Sequence, residues 1–251
     1  MSLSTETLLL SPPPAIDRLR HTLFLDLDGT LVDIADKPEQ VSLSDDVRAM
    51  LRELAAAMNG AVALITGRTI ASADSVLDGV FANIAGVHGA ERRTPSHEAR
   101  SNDRTAAVAA ALEDATKLIT EGRLIADLED KTRALALHYR SAPEAAEEVR
   151  RIGAELAARH GLSMIEGKMV VELTPGARTK GDAVTAFMAD PPFAGRTPIA
   201  VGDDLTDEDA FKAVRQCGGL AVLVGGARET AAQHGLPDTA AVITWLRTAL
   251  P

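Results

Sequence analysis

Two acidic runs set the chemistry open to this chain. The first, "LDLDGTLVD" (Leu25–Asp33), puts Asp26 and Asp28 two residues apart and follows them with Gly29 and Thr30. The second, "GDDLTDED" (Gly202–Asp209), carries Asp203, Asp204 and Asp207. Asp26, Asp28 and Asp203 are hard oxygen donors, suited to Mg²⁺ and poorly suited to zinc. Carboxylates crowded together without a cation repel and raise one another's pKa values, which a bound metal ion would relieve. Between the two runs stand "TGR" (Thr66–Arg68) and Lys180. The Thr66 hydroxyl and the Lys180 ammonium are donors for phosphate oxygens, and glycine lets backbone N–H groups approach an anion. A carboxylate beside a metal and a phosphate cradle can attack phosphorus and form an aspartyl-phosphate. A second carboxylate two residues on can protonate the leaving oxygen and then activate water.

The elements that must position these residues are legible as alternating patterns. "TLFLDL", "AVALIT" and "ANIAGVHG" read as buried strands, separated by helices over "SLSDDVRAMLRELAAAM", with Ser44 as N-cap, and "IASADSVL". This β-α-β-α-β run predicts a parallel sheet with right-handed crossovers. From about residue 93 to 173 the pattern changes to helix, strand, strand, helix, strand, strand. Asp103–Glu121 and "PEAAEEVRRIGAELAARH" read as helices. "RLIADLED" and "RALALHYR" form one hairpin, turning near Asp130; "LSMIEG" and "KMVVEL" form another, with Gly167 at the turn. Afterwards the first pattern returns, with a helix over Lys180–Met188, strands "TPIAVG" and "LAVLVG", and helices over "DEDAFKAV" and "AAVITWLRTAL". The expected fold is α/β: a Rossmann-like parallel-sheet core, residues 1–92 and 174–251, interrupted by an α+β segment, 93–173. In such sheets ligands bind outside the carboxyl ends of the strands, where both acidic runs, Thr66 and Lys180 converge.

Composition narrows the partners. The chain of 251 residues is 46% hydrophobic and 25% charged, as expected of an ordinary globular protein. Aromatics are 3% and the formal net charge is −10, which argues against nucleic acid and anionic membranes as partners. A small anionic substrate remains compatible, because a metal ion inverts local charge. A single cysteine, Cys217, excludes a disulfide framework and fits a reducing cytoplasm. No apolar run reaches the roughly 20 residues of a membrane span. The start lacks the basic and apolar regions of a signal peptide, and "SPPP" reads as a frayed extended lead-in.

"DLDGTL", "TGR", Lys180 and "GDDLTDED" together resemble, in order, the four signature motifs of the haloacid dehalogenase (HAD) superfamily of phosphohydrolases. The resemblance implies Asp26 as nucleophile and Asp28 as general acid/base. It implies Mg²⁺ held by the Asp26 carboxylate, the Asp28 backbone carbonyl and Asp203, with Asp204 and Asp207 behind them or as a further ligand. Thr66, Gly67 and Lys180 would hold the phosphoryl group, and the inserted α+β segment would be a cap domain. "GVHGAE", "EGKMVVEL" and "GDDLTDEDAF" are similar to the trehalose-6-phosphate phosphatases, which extends the resemblance over nearly the whole chain. By that match Glu166, Lys168 and Glu172 would bind sugar hydroxyls, with Arg140 and Lys131 as secondary candidates. Read without the resemblance, the same charges make an ordinary hairpin face, Asp209 an acidic first turn, and His88 a hydrogen-bonded core or loop histidine. Two rivals stay open: a phosphatase for another sugar phosphate (sucrose, glucosylglycerol or mannosylglycerate phosphate), and a catalytically silent sugar-phosphate-binding module.

Overall fold

The computed structural model describes residues 10–35, 41–96, 104–176 and 178–250. The first crossover unit comprises β1 (His21–Leu25), α1 (Asp45–Ala57), β2 (Val62–Ile65), α2 (Ile70–Leu77), β3 (Asn83–Gly86) and β4 (Glu91–Arg93). β2 is a continuous apolar run and β1 is apolar from Leu23 to Leu25, because both faces of their sheet are covered. Ser44 and Thr69 cap α1 and α2 by accepting backbone N–H groups from Val47 and Ser72. The sequence reading carried the third strand through Gly89. It ends instead at Gly86, where Val87 (φ 47°) and His88 (φ 52°) take left-handed backbone. β4 pairs antiparallel with β3; its short charged sequence, "ERR", gave no strand signal.

The second unit comprises α3 (Ala106–Thr120), β5 (Asp127–Asp130), β6 (Leu135–His138), α4 (Ala146–His160), β7 (Ser163–Gly167) and β8 (Val170–Thr174). Asp103, the expected start of its first helix, lies outside the described residues; Thr105 is the N-cap. Its four strands form an antiparallel sheet in the order β5-β6-β8-β7. Leu135, Leu137, Val171 and Leu173 pack with Val108, Val149, Ile152 and Leu156 of the two helices. Tyr139 is buried in this cluster and accepts from the Arg150 guanidinium at 3.1 Å. The other face of the sheet is left for a cavity.

The last unit comprises α5 (Lys180–Met188), β9 (Thr197–Gly202), α6 (Asp207–Gln216), β10 (Leu220–Val224), β11 (His234–Leu236) and α7 (Thr239–Arg247). Its strands join those of the first unit in one seven-stranded sheet, β11-β10-β9-β1-β2-β3-β4, parallel except at β4. α1, α2 and α7 cover one face around Leu51, Leu77 and Leu246; α5 and α6 cover the other around Val184, Phe187 and Phe211. Phe24 stacks there on Phe187 and Phe193, which are tilted to one another, with centroids 5.1–6.1 Å apart. The "SPPP" lead-in is tied down rather than frayed. Ser11 bridges to His234, and the Trp245 indole donates to the Pro14 carbonyl at 2.9 Å. Arg93 pairs with Ile84 in the larger sheet, and Thr174 with Ser163 in the smaller. No helix among the described residues is long and apolar enough to cross a membrane.

Candidate active site

Two parallel strands, β1 and β9, deliver the acidic cluster. Asp26 follows β1 directly, and its N–H donates to the Val201 carbonyl of β9 at 3.0 Å. Thr179 and Asp182 form a capping box that fixes Lys180 at the first position of α5. From there the Lys180 ammonium donates to Asp26 Oδ1 and Asp207 Oδ1, each at 2.7 Å, with all three residues buried. Asp207 Oδ2 accepts the N–H groups of Asp203 (3.1 Å) and Asp204 (3.0 Å), so one carboxylate anchors both the lysine and the acidic loop. Gly29 has φ 84°, and a Cβ there would stand 2.3 Å from Asp203 Oδ2. Only glycine lets the two acidic loops meet so closely.

The electrostatics call for a further cation. Oxygen atoms of Asp26, Asp203 and Asp207 lie within 4.8 Å of one another. Burial pushes the Asp26 carboxyl well above its ordinary range, against the opposing pull of Lys180. Burial, then the neighbouring Asp207 and Asp204 charges, push Asp203 up to about 7. Burial opposes the Lys180 charge, but Asp207 and Asp26 outweigh it and raise that pKa. Asp203 Oδ1 is buried and has no partner among the described residues. An orphaned oxygen in a net-negative set of hard donors fits a divalent cation. The Asp28 carboxylate does not join this set: Arg68 holds it in a two-pronged pair, both contacts at 2.7 Å. The structure brings Asp26 and Asp203 together with Asp207, which the resemblance offered as a further ligand.

Thr66 and Gly67 leave β2 as a short loop beside the cluster. The Thr66 hydroxyl accepts the Arg68 N–H at 3.1 Å, and the buried Glu91 accepts the Ile70 N–H at 2.8 Å, which pins the start of α2. The loop opens on a cavity of 520 Å³, lined by Asp26, Asp28, Thr66, Gly67, Lys180 and Asp203 on one side. Glu129, Lys131, His138, Arg140, Lys168 and Glu172 line the other. Lys131 donates to Glu172 Oε2 at 2.5 Å and to the Gly67 carbonyl at 2.8 Å. Burial would raise the Glu172 pKa, but the Lys131 and His88 charges overcome it and hold the carboxyl at about 2. Arg140 donates to the Ala35 carbonyl, and the Lys168 N–H to Asp204 Oδ2 at 3.1 Å. The loops of the second unit thus meet the core around the cavity through Lys131, Arg140 and Lys168.

Glu166 is not brought to the cavity. It pairs with Arg150 of α4 at 3.0 Å on the surface. The β7–β8 turn is Lys168–Met169 rather than Gly167. That register pairs Ile165 with Glu172 and Glu166 with Val171, a residue of the helix-facing core. Glu129 was missed. It pairs with Ala136 across β5–β6 and contacts His138 at 2.8 Å. The signal lay in "LALH", whose Leu135 and Leu137 face the helices and leave Ala136 and His138 on the cavity face.

An interrupted parallel sheet with its chemistry gathered at the strand ends is the HAD fold that the sequence motifs imply. The fold agrees with the C-terminal domain of trehalose-6-phosphate phosphatase from Candida albicans, with a TM-score of 0.79 and 22% identity over 96% of this chain and 99% of that one. Trehalose-6-phosphate phosphatase of Escherichia coli is 37% identical over 92% of this chain and 88% of its own. A Sinorhizobium fredii protein described as a "probable trehalose-phosphate phosphatase" is 43% identical over 81% and 77%. The model of the trehalose-phosphatase family matches residues 24–237, and the chain belongs to that family.

Proposed function

We propose that this protein is a Mg²⁺-dependent phosphatase that hydrolyses trehalose 6-phosphate to trehalose and phosphate. The observation that carries the chemistry is the buried Lys180 ammonium held 2.7 Å from both Asp26 and Asp207 on the wall of a polar cavity. Asp26 is the nucleophile, and attack on phosphorus yields an aspartyl-phosphate. Asp28 protonates the departing sugar oxygen and then takes a proton from the water that cleaves the intermediate. Arg68 orients the Asp28 carboxylate between these steps. Lys180, Thr66 and Gly67 hold the transferring group, and Lys180 keeps its charge because Asp207 and Asp26 stabilise it. Mg²⁺ would be held by Asp26, Asp203 and the Asp28 carbonyl, where it neutralises charge on the phosphoryl group.

The chain divides near residues 93 and 174 into a catalytic core and a cap, with Arg93 still paired in the larger sheet and Thr174 in the smaller, a division supported by the separate apolar cluster between Val108 and Leu173. Glu172, Lys131, Lys168 and Arg140 of the cap read the disaccharide; Glu166, turned toward Arg150, is not among them. The substrate reading is supported by the relatives at 37–43% identity. A small sugar phosphate is the partner, and a cytoplasmic location accords with the single cysteine.

The test is phosphate release from a panel of trehalose 6-phosphate, sucrose 6-phosphate and glucose 6-phosphate, with EDTA and Asp26→Asn controls. Preference for trehalose 6-phosphate, lost in both controls, is expected. Metal-dependent preference for another ester would overturn the substrate but keep the chemistry. No release from any ester would overturn both.

A further inference from the structure

His88 belongs to a motif that the proposed chemistry leaves unused. Its backbone is costly: Val87 and His88 both have left-handed φ, rare outside glycine and an outlier for a β-branched valine. Such conformations persist only where the surroundings over-determine them, and they gather at functional sites. Here the Val87 N–H donates to the Arg68 carbonyl at 2.9 Å and the His88 N–H to the Thr66 carbonyl at 3.1 Å, tying the turn to the phosphate loop.

The bend carries a buried imidazole across to the cap. A Cβ on Gly67 would stand 2.9 Å from His88 Cε1, so the ring lies against that glycine. His88 Nε2 lies 3.4 Å from Glu172 Oε2, a contact long for a hydrogen bond but aimed at a buried carboxylate. His88 Nδ1 is buried with no partner among the described residues, whereas core histidines ordinarily satisfy their ring nitrogens. With Nδ1 unpartnered, Nε2 is the donor toward Glu172. Glu172 Oε1 is likewise buried and unpartnered among the described residues. The second oxygen of this carboxylate is thus an idle acceptor in a residue already gripped by Lys131 and His88.

We propose that His88 is a positioning residue for sugar recognition: it fixes Glu172 so that Oε1 accepts a substrate hydroxyl, and the sugar site is complete only when the cap sits on the phosphate loop. The proposal rests on the sugar-phosphate reading above and names a core residue on which the cap's selectivity depends.

The experiment measures kcat and KM for trehalose 6-phosphate and for p-nitrophenyl phosphate, an ester with no sugar, in wild type, His88→Ala, His88→Asn, Glu172→Gln and His88→Ala/Glu172→Gln. The ratio of the two kcat/KM values is expected to fall roughly tenfold in His88→Ala, mainly through KM for the sugar ester. His88→Asn, which keeps a side-chain N–H, recovers part of the ratio. The double variant is no worse than Glu172→Gln alone, because both changes break one unit. Equal losses on both esters, or losses that multiply in the double variant, would overturn the role of His88 while leaving the substrate reading intact. A wild type with no preference for trehalose 6-phosphate would overturn the substrate reading and the role with it. If His88→Ala fails to fold, judged by its thermal melt, the His88→Asn/Glu172→Gln cycle carries the same test.

Discussion

The two sheets present side chains to the same cavity in different ways. The parallel sheet works from its ends: Asp26, Thr66 and Asp203 each stand just beyond a strand, on loops whose glycines and helix caps set the geometry. The antiparallel sheet works from its face: Glu129, His138 and Glu172 sit within strands and reach the cavity because of alternation. A residue at a strand end keeps its address when a neighbouring turn changes length. A residue on a sheet face does not, since a one-residue slip sends it to the other side. Chemistry common to all phosphate esters thus rests on the robust arrangement, and selectivity among esters rests on the one that a short insertion can rewrite.

This contrast can be broken at several places. Asp26→Asn should abolish turnover of sugar and aryl phosphates alike, by on the order of 10⁴-fold, in steady-state phosphate release; a loss confined to the sugar ester would erase the distinction between the sheets. Lys180→Met leaves Asp26 and Asp207 facing each other in the interior and should cost about 3 kcal/mol of stability in urea titrations. Glu172→Gln should lower the preference for trehalose 6-phosphate over p-nitrophenyl phosphate by about 10- to 100-fold in kcat/KM, the scale of a lost charge-assisted hydrogen bond.

The same glutamate has a pH signature. Its carboxyl is held at about 2, below the ordinary 4.5, so the fold favours the ionised form. That stabilisation is complete above pH 4.5 and is lost as pH falls toward 2. Urea midpoints of wild type and Glu172→Gln should therefore converge over that window. The smallest effect belongs to Glu166→Gln on the helix side of the sheet. Activity and stability should both stay close to wild type, within about 0.5 kcal/mol, because its pair with Arg150 is exposed.

What could be read from the sequence follows the same division. Asp26, Asp28, Thr66 and Asp203 were legible because each motif is contiguous and lies at a predictable strand end, and Lys180 because it opens a predictable helix. The cap Ser44 announced its helix, and the helix over Lys180–Met188 matches the expectation residue for residue. The face of Glu166 was not legible. Its side depends on whether Gly167 or the Lys168–Met169 pair makes the turn, and local composition does not decide that. Glu129 was hidden for a similar reason, since β5 is a short, half-exposed strand whose role appears only through its register with β6. β4 and β11 are three residues each and are held by neighbours rather than by their own propensity. The bend at Val87 runs against valine's own preference and is held by the carbonyls of Arg68 and Thr66.

The scarcity of aromatics has an optical consequence. The chain has one tryptophan and one tyrosine. Trp245 is seated under the N-terminal segment of the seven-stranded unit, and Tyr139 is buried in the apolar cluster of the four-stranded one. Each half of the molecule thus carries its own intrinsic chromophore. Indole fluorescence follows one half, and the near-ultraviolet tyrosine signal the other. Superimposable melting curves from the two would mean that the halves unfold as one cooperative unit; separated curves would give the order in which they come apart, without any label.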